Sequence, residues 1–267
     1  FSRFTNSSPY VRLHPENKIM NKNQKITELR TYLSDGQASV GSWMQIGSSE
    51  IAEIMSSTGL PWVAVDLEHG SIGVPQLPDI FRALELNGTL PFVRLASSYP
   101  SQAVRALDAG AAGIIAPNIE SWNQLRDLKK SIHYPPTGKR GVGYCRGNTY
   151  GVNFDEKLEY NPFLVAMIES QTGVNNITTI LDEEPDAVLI GPYDLSASFN
   201  ITGQFESYAF KEIVKHIKDS CQKKAIPVGV HVVNSSLEDL NNYKSEGYTF
   251  LPFGMDTTII SDKLEMI

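Results

Sequence analysis

At 267 residues with 41% hydrophobic content, the chain can bury one large core and sits near the ~250 residues typical of a single (β/α)8 domain. A net charge of -7 and a pI near 5.3 argue against a nucleic-acid partner or an anionic membrane, because no basic stripe is present to displace counterions from phosphates. Two cysteines, Cys145 and Cys221, make no disulfide framework in a chain this long, and no apolar run approaches the ~18 residues of a spanning helix, so a cytoplasmic protein without a membrane partner is expected.

Residues 1–22 lack an amphipathic period and read as an N-terminal extension or cloning remnant, with Met20 as the natural start, ahead of a barrel domain at 23–267. Helical spacing at Ile26, Leu29 and Leu33 predicts a helix over 24–34, closed by Gly36. An alternation of strands and helices then begins. SVGSWMQIG, WVAVDLEHG, PFVRLA and GIIAPN read as strands; EIAEIMSST, VPQLPDIFRALELNG, SQAVRALDAG and SWNQLRDLKKSIH read as the helices between and after them. The rhythm breaks at 134–161, where no period is sustained. A loop of that length inside a compact domain is usually functional, and its glycines with Arg140 and Arg146 suggest a lid over the site, aided by a neighbouring subunit. The alternation resumes through FLVAMI, AVLI, IPVGVHVV and YTFLPFG, with helices between them and a closing helix from Asp256. This many strand-helix units, with no GxGxxG after the first strand, predicts closure into a (β/α)8 TIM barrel with an N-terminal helix.

Continuous apolar runs that end abruptly in carboxylates mark the chemistry. FLVAMI ends at Glu169 and AVLI leads to Asp194, so both acids belong at the carboxyl ends of neighbouring parallel strands, the face where barrel enzymes build their sites. Two hard oxygen ligands there suit a divalent cation with open positions. Singly, either acid could simply cap a helix. Asp66, Glu68, His69, Arg94, Asn118, His231 and Asn234 also fall at strand ends, and together they make a convergent polar ring. None of the predicted strands contains a lysine. Carbon-carbon cleavage beside a carbonyl needs an electron sink, so a metal has candidate ligands here while a Schiff base does not.

The stretches VDLEHG, FVRLASSYPSQAVRALDAGAAGIIAPNIES, GKRGVG, MIES, GPYDLSAS and FLPFGMDTTII, in that order, resemble the metal-dependent pyruvate aldolases of the HpcH/HpaI group. The resemblance implies a lyase that reversibly cleaves a 4-hydroxy-2-oxoacid or 2-keto-3-deoxy sugar acid to pyruvate and an aldehyde. It implies Glu169 and Asp194 as ligands of Mg2+, Mn2+ or Co2+, and Arg94 against the keto oxygen. His69, oriented by Asp108, would move protons, and amides around Gly191, Pro192, Tyr193 and Asp194 would receive the pyruvate carboxylate. It implies a homo-oligomer, commonly a hexamer, with the closing helix on a partner. Met167 stands where many members carry glutamine, Tyr193 where many carry alanine, and Tyr99 where tryptophan is common. The first two point to a different aldehyde. A citramalyl or malyl-CoA type lyase and a barrel that binds an oxoacid without turnover are the alternatives.

Overall fold

Eight strands close into one parallel barrel in the order β1-β2-β3-β4-β5-β6-β7-β8 in a computed structural model that describes residues 21–152 and 159–265. The strands are β1 (Ser39–Met44), β2 (Trp62–Asp66), β3 (Leu90–Arg94), β4 (Gly113–Ala116), β5 (Phe163–Ile168), β6 (Ala187–Ile190), β7 (Val228–Val230) and β8 (Phe250–Met255). The expected TIM barrel is present. Of the predicted N-terminal extension, all but residues 21 and 22 lies outside the described residues. Among the described residues no helix is long and apolar enough to cross a membrane.

Strand alternation separates two cores. On β5, Phe163, Val165 and Met167 point into the barrel, while Leu164, Ala166 and Ile168 pack against the helices outside. Trp62 and Ala64 on β2, Leu90 and Phe92 on β3, and Ala187 and Leu189 on β6 follow the same inward set. Two residues further along each strand come Asp66, Arg94, Glu169 and Gly191, which therefore face the mouth. At the opposite end Trp62, Phe92, Phe163 and Phe250 stack into a floor, with Trp62 and Phe250 at 4.3 Å between ring centres and 5° between planes. Such a plug needs space from its neighbours. A Cβ on Gly41 of β1 would stand 2.2 Å from the Trp62 ring, which excludes any other residue there.

The predicted N-terminal helix is α1 (Lys22–Ser34), started by a reciprocal cap between Asn21 and Gln24. Its buried Ile26, Leu29 and Leu33 belong to the interior cluster and cover the aromatic floor from below. Three cations fasten it to three different units: Lys22 Nζ to Glu85 and to the Gly110 carbonyl, both at 2.6 Å, Lys25 Nζ to the Gly88 carbonyl at 2.7 Å, and Arg30 in a fork to Asp186 at 2.6 and 3.0 Å.

The outer helices include α2 (Ser49–Ser57), α3 (Leu77–Glu85), α4 (Pro100–Ala109) and α5 (Trp122–Ile132), with Gly110 ending α4 in the left-handed region. The crossover between β5 and β6 departs from a single helix. It forms α6 (Gln171–Asn175) and α7 (Ile177–Ile180), broken at Asn176, where a run of β-branched Ile177, Thr178 and Thr179 begins. Past β6 come α8 (Pro192–Ser198) and α9 (Tyr208–Lys223), then α10 (Leu237–Ser245), and after β8 the last helix, α11 (Asp256–Leu264).

Candidate active site

The mouth is organised around a carboxylate and a guanidinium that are direct partners in the β2–β3 register, Asp66 and Arg94. Arg94 forks onto Asp66 through Nε at 2.9 Å and Nη2 at 2.5 Å, and Nη1 lies 3.1 Å from Glu68. Its guanidinium rests over the Trp43 ring at 5.1 Å, and that ring in turn packs against His231 at 4.8 Å. Burial alone would push the Asp66 carboxyl up. The hydrogen bonds and charge of Arg94, with the Gln45 amide and the Glu68 N–H, outweigh it and hold Asp66 down at about 2. His231 goes the other way: burial, against the pull of the Gly254 carbonyl, lowers it to about 4, so the ring is neutral at neutral pH.

Across the mouth stands Glu169, one residue past β5 and almost fully buried. Burial pushes its carboxyl up to about 7; the Asn118 N–H opposes that shift, while the charges of Glu68 and Asp194 add to it. The Asn118 N–H donates to Glu169 Oε1 at 2.7 Å, and Asn118 aims it by adopting the left-handed region at φ 49°, a conformation asparagine tolerates better than most. Gly191 lets the other oxygen sit close: a Cβ there would fall 2.5 Å from Glu169 Oε2. Asp194 follows in the first turn of α8, where a helix favours an anion. Burial also raises Glu68, against Arg94 and His69.

Glu68, Glu169 and Asp194 repel one another, Glu169 being buried and raised, while the fork of Arg94 is already taken by Asp66. A divalent cation between Glu169 and Asp194 would offset that repulsion, so these residues fit the metal that the sequence implied. Among the described residues, no three histidine, cysteine or acidic side chains are gathered tightly enough to hold a metal by themselves. A metal held here would need water or substrate to complete the two carboxylates. No described strand carries a lysine, as expected.

Several expected placements differ. His69 sits exposed in the turn after β2, its amide donating to Asp66 at 3.2 Å. Asp108 does not orient it within the protomer. Helices of this fold run back toward the strand beginnings, so position 108, near the end of α4, lies at the far face of the barrel, where it accepts from Arg140 Nη2 at 2.7 Å. The lid expected at 134–161 is displaced for the same reason, since it joins the end of α5 to the start of β5. Its Arg146 reaches Glu85 at 2.5 Å and the Ala109 carbonyl at 3.1 Å, both at helix ends under the barrel; residues 153–158 of that expectation lie outside the described residues. Pro192 has no N–H to offer a carboxylate and instead fixes the first residue of α8, leaving Gly191, Tyr193 and Asp194 as amide donors. Met167 is buried in the barrel interior two residues before Glu169, and Tyr193 stands half-exposed at the rim, braced edge-on by Phe205 at 5.0 Å. Tyr99, just ahead of α4, is exposed.

Sequence reasoning put Asp66, Glu68 and His231 in the polar ring without roles and passed over Trp43 and Gln45. The inward alternation Gly41, Trp43, Gln45 along β1 was the available signal for the last two.

Known proteins share this architecture. The family described as HpcH/HpaI aldolase/citrate lyase matches residues 39–262. A hydroxypyruvate/pyruvate aldolase of Roseobacter denitrificans is 35% identical over 177 residues, covering 64% of this chain and 69% of that protein. A 2-dehydro-3,6-dideoxy-6-sulfogluconate aldolase of Pseudomonas putida is 29% identical over 85% of this chain and 89% of its own length. Among solved structures, an HpcH/HpaI aldolase/citrate lyase family protein of Burkholderia cenocepacia shares the fold with a TM-score of 0.84, at 24% identity over 90% of this chain and 96% of that one.

Proposed function

The chain belongs to the HpcH/HpaI aldolase/citrate lyase family, and from that premise we propose that it is a divalent-metal-dependent aldolase that cleaves a 4-hydroxy-2-oxoacid or 2-keto-3-deoxy sugar acid to pyruvate and an aldehyde. The observation that carries this reading is the mouth itself: Glu169, Asp194 and Glu68 gathered opposite a guanidinium held rigidly by Asp66. Glu169 and Asp194 would hold Mg2+, Mn2+ or Co2+, which supplies Lewis-acid polarisation of the 2-oxo group when bound.

Cleavage removes the proton of the C4 hydroxyl, breaks the C3–C4 bond with formation of the aldehyde carbonyl, and sends the bonding pair to C3 and the keto oxygen as an enolate. Arg94 faces that developing charge from a buried, pre-formed position, the arrangement that stabilises a transition state more than a ground state. Tyr193 and Asp194 amides at the start of α8 would receive the pyruvate carboxylate. His69, exposed at the rim, would take up and return protons. In its own protomer Asp108 on α4 is paired with Arg140, and a part for it in proton transfer would require a second copy. Half-exposed Ile259 and Ile260 with exposed Leu264 on α11 support assembly into a homo-oligomer, with the hexamer expected from the sequence checked by light scattering.

Pyruvate release from a panel of 4-hydroxy-2-oxoacids, with each metal and after chelation, tests the reading. Metal-restored cleavage is expected. Full activity after exhaustive chelation, or a borohydride-trapped pyruvyl adduct, would overturn it. A CoA-thioester substrate has no specific observation in its favour.

A further inference from the structure

We propose that Gln45 is a positioning residue for Arg94, acting through Asp66, and that Thr257 at the start of the last helix fixes the Gln45 amide for that task. The part played by Arg94 in turnover rests on the aldolase reading; the assignment of Gln45 and Thr257 goes beyond it.

Gln45 stands one residue past β1, on the inward side that carries Trp43. Its Nε2 donates to Asp66 Oδ2 at 3.0 Å, and its Oε1 accepts from the Thr257 hydroxyl at 3.1 Å. Only this amide orientation is chemically consistent, since a flip would set a carbonyl oxygen against a carboxylate. The hydroxyl therefore selects the useful rotamer. The main chain is pinned by the same helix turn: the Asp256 carboxylate accepts from the Gln45 N–H at 2.9 Å and the Ile46 N–H at 2.8 Å.

The two oxygens of Asp66 are held unequally. Oδ1 accepts from Arg94 Nε, from the Glu68 N–H at 2.9 Å and from the His69 N–H at 3.2 Å. Oδ2 accepts from Arg94 Nη2 and, among the described residues, from Gln45 alone besides it. The backbone donors fix one end of the carboxylate, so Gln45 sets its rotation, and the forked guanidinium follows that rotation. Arg94 is then aimed by a relay that starts on α11, and a change in how that helix docks reaches the mouth through three hydrogen bonds.

Gln45→Leu preserves volume and removes both contacts, while Thr257→Val removes the hydroxyl alone. In Gln45→Leu, kcat should fall about tenfold with KM changed far less, and Thr257→Val should show the same split at smaller size. In an Asp66→Asn background Gln45→Leu should cause no further loss. Independently of any substrate, the Arg94 Nε–H signal in 15N-labelled protein should exchange with solvent about tenfold faster in Gln45→Leu than in wild type. Unchanged kcat and exchange in folded Gln45→Leu, or losses that multiply in the double variant, overturn the proposal. If Gln45→Leu fails to fold, the kcat and KM split and the Arg94 exchange of Thr257→Val decide it. Should the wild type cleave no 2-oxoacid, the aldolase reading fails while the Arg94 exchange comparison still decides whether Gln45 holds the pair.

Discussion

The two ends of the barrel are built by opposite rules. At the strand beginnings, aromatic rings stack over one another, α1 covers them with three apolar side chains, and Lys22, Lys25 and Arg30 each meet a carboxylate or carbonyl. At the strand ends, Asp66 and Glu68 share one guanidinium, and the buried carboxyl of Glu169 is raised to about 7. One end is built on stacked rings and the other on crowded charge. Stability and chemistry have been assigned to separate layers of the same strands, so substitutions at the two ends should damage different quantities.

The largest expected effect is at the mouth. Glu169→Gln or Asp194→Asn should lower pyruvate release about a thousandfold while leaving the melting temperature equal or higher, because an uncompensated acid has been removed. A parallel collapse of melting temperature would erase the distinction between the ends. Arg94→Ala comes next, with kcat lowered about a hundredfold and KM much less affected, measured by steady-state kinetics on the best substrate of the panel. A pure rise in KM would move Arg94 from transition-state stabilisation to simple binding.

At the floor, Phe163→Ala should cost about 3–5 kcal/mol in denaturant unfolding and leave kcat per folded molecule nearly unchanged. Acid titration probes the one mouth carboxylate that also adds stability. Asp66 is depressed to about 2 in the folded state, so its contribution is present above the ordinary carboxylate range and is lost as the pH falls toward about 2. Asp66→Asn should therefore unfold more easily at neutral pH and show a flatter stability profile through that acidic window. The smallest effect belongs to Arg146→Ala, which should leave kcat within about twofold and lower stability by no more than about 1 kcal/mol, given a partly exposed partner. A large selective loss on bulky substrates would return the loop to the mouth, through another subunit.

Much of this could be read from the chain. Runs such as FLVAMI and WVAV are apolar on every residue because both faces of a parallel strand are covered, and the residue that breaks the run, Glu169 or Asp66, marks the mouth. The Asp66–Arg94 fork could not be read, since it depends on the register of β2 against β3 across 28 positions of sequence. Within one protomer Asp108 and Arg146 lie away from the mouth for a simpler reason. Their segments lie at the end of a helix or between a helix and the next strand, and in this fold such segments return to the floor. Spacing within the helix held that information. The inequality of the two Asp66 oxygens had no sequence signal at all, because it is set by which neighbours happen to carry donors.

The attachment of α1 has a consequence for synthesis. The helix is made before β1–β8, yet its apolar face matches a floor assembled from β2, β3, β5 and β8, and Arg30 must wait for Asp186. A chain emerging from the ribosome therefore carries Ile26, Leu29 and Leu33 uncovered until nearly the whole barrel has been translated. Among the described residues the first helix to be made is thus one of the last to find its seat, and in the interval its apolar face is open to other chains.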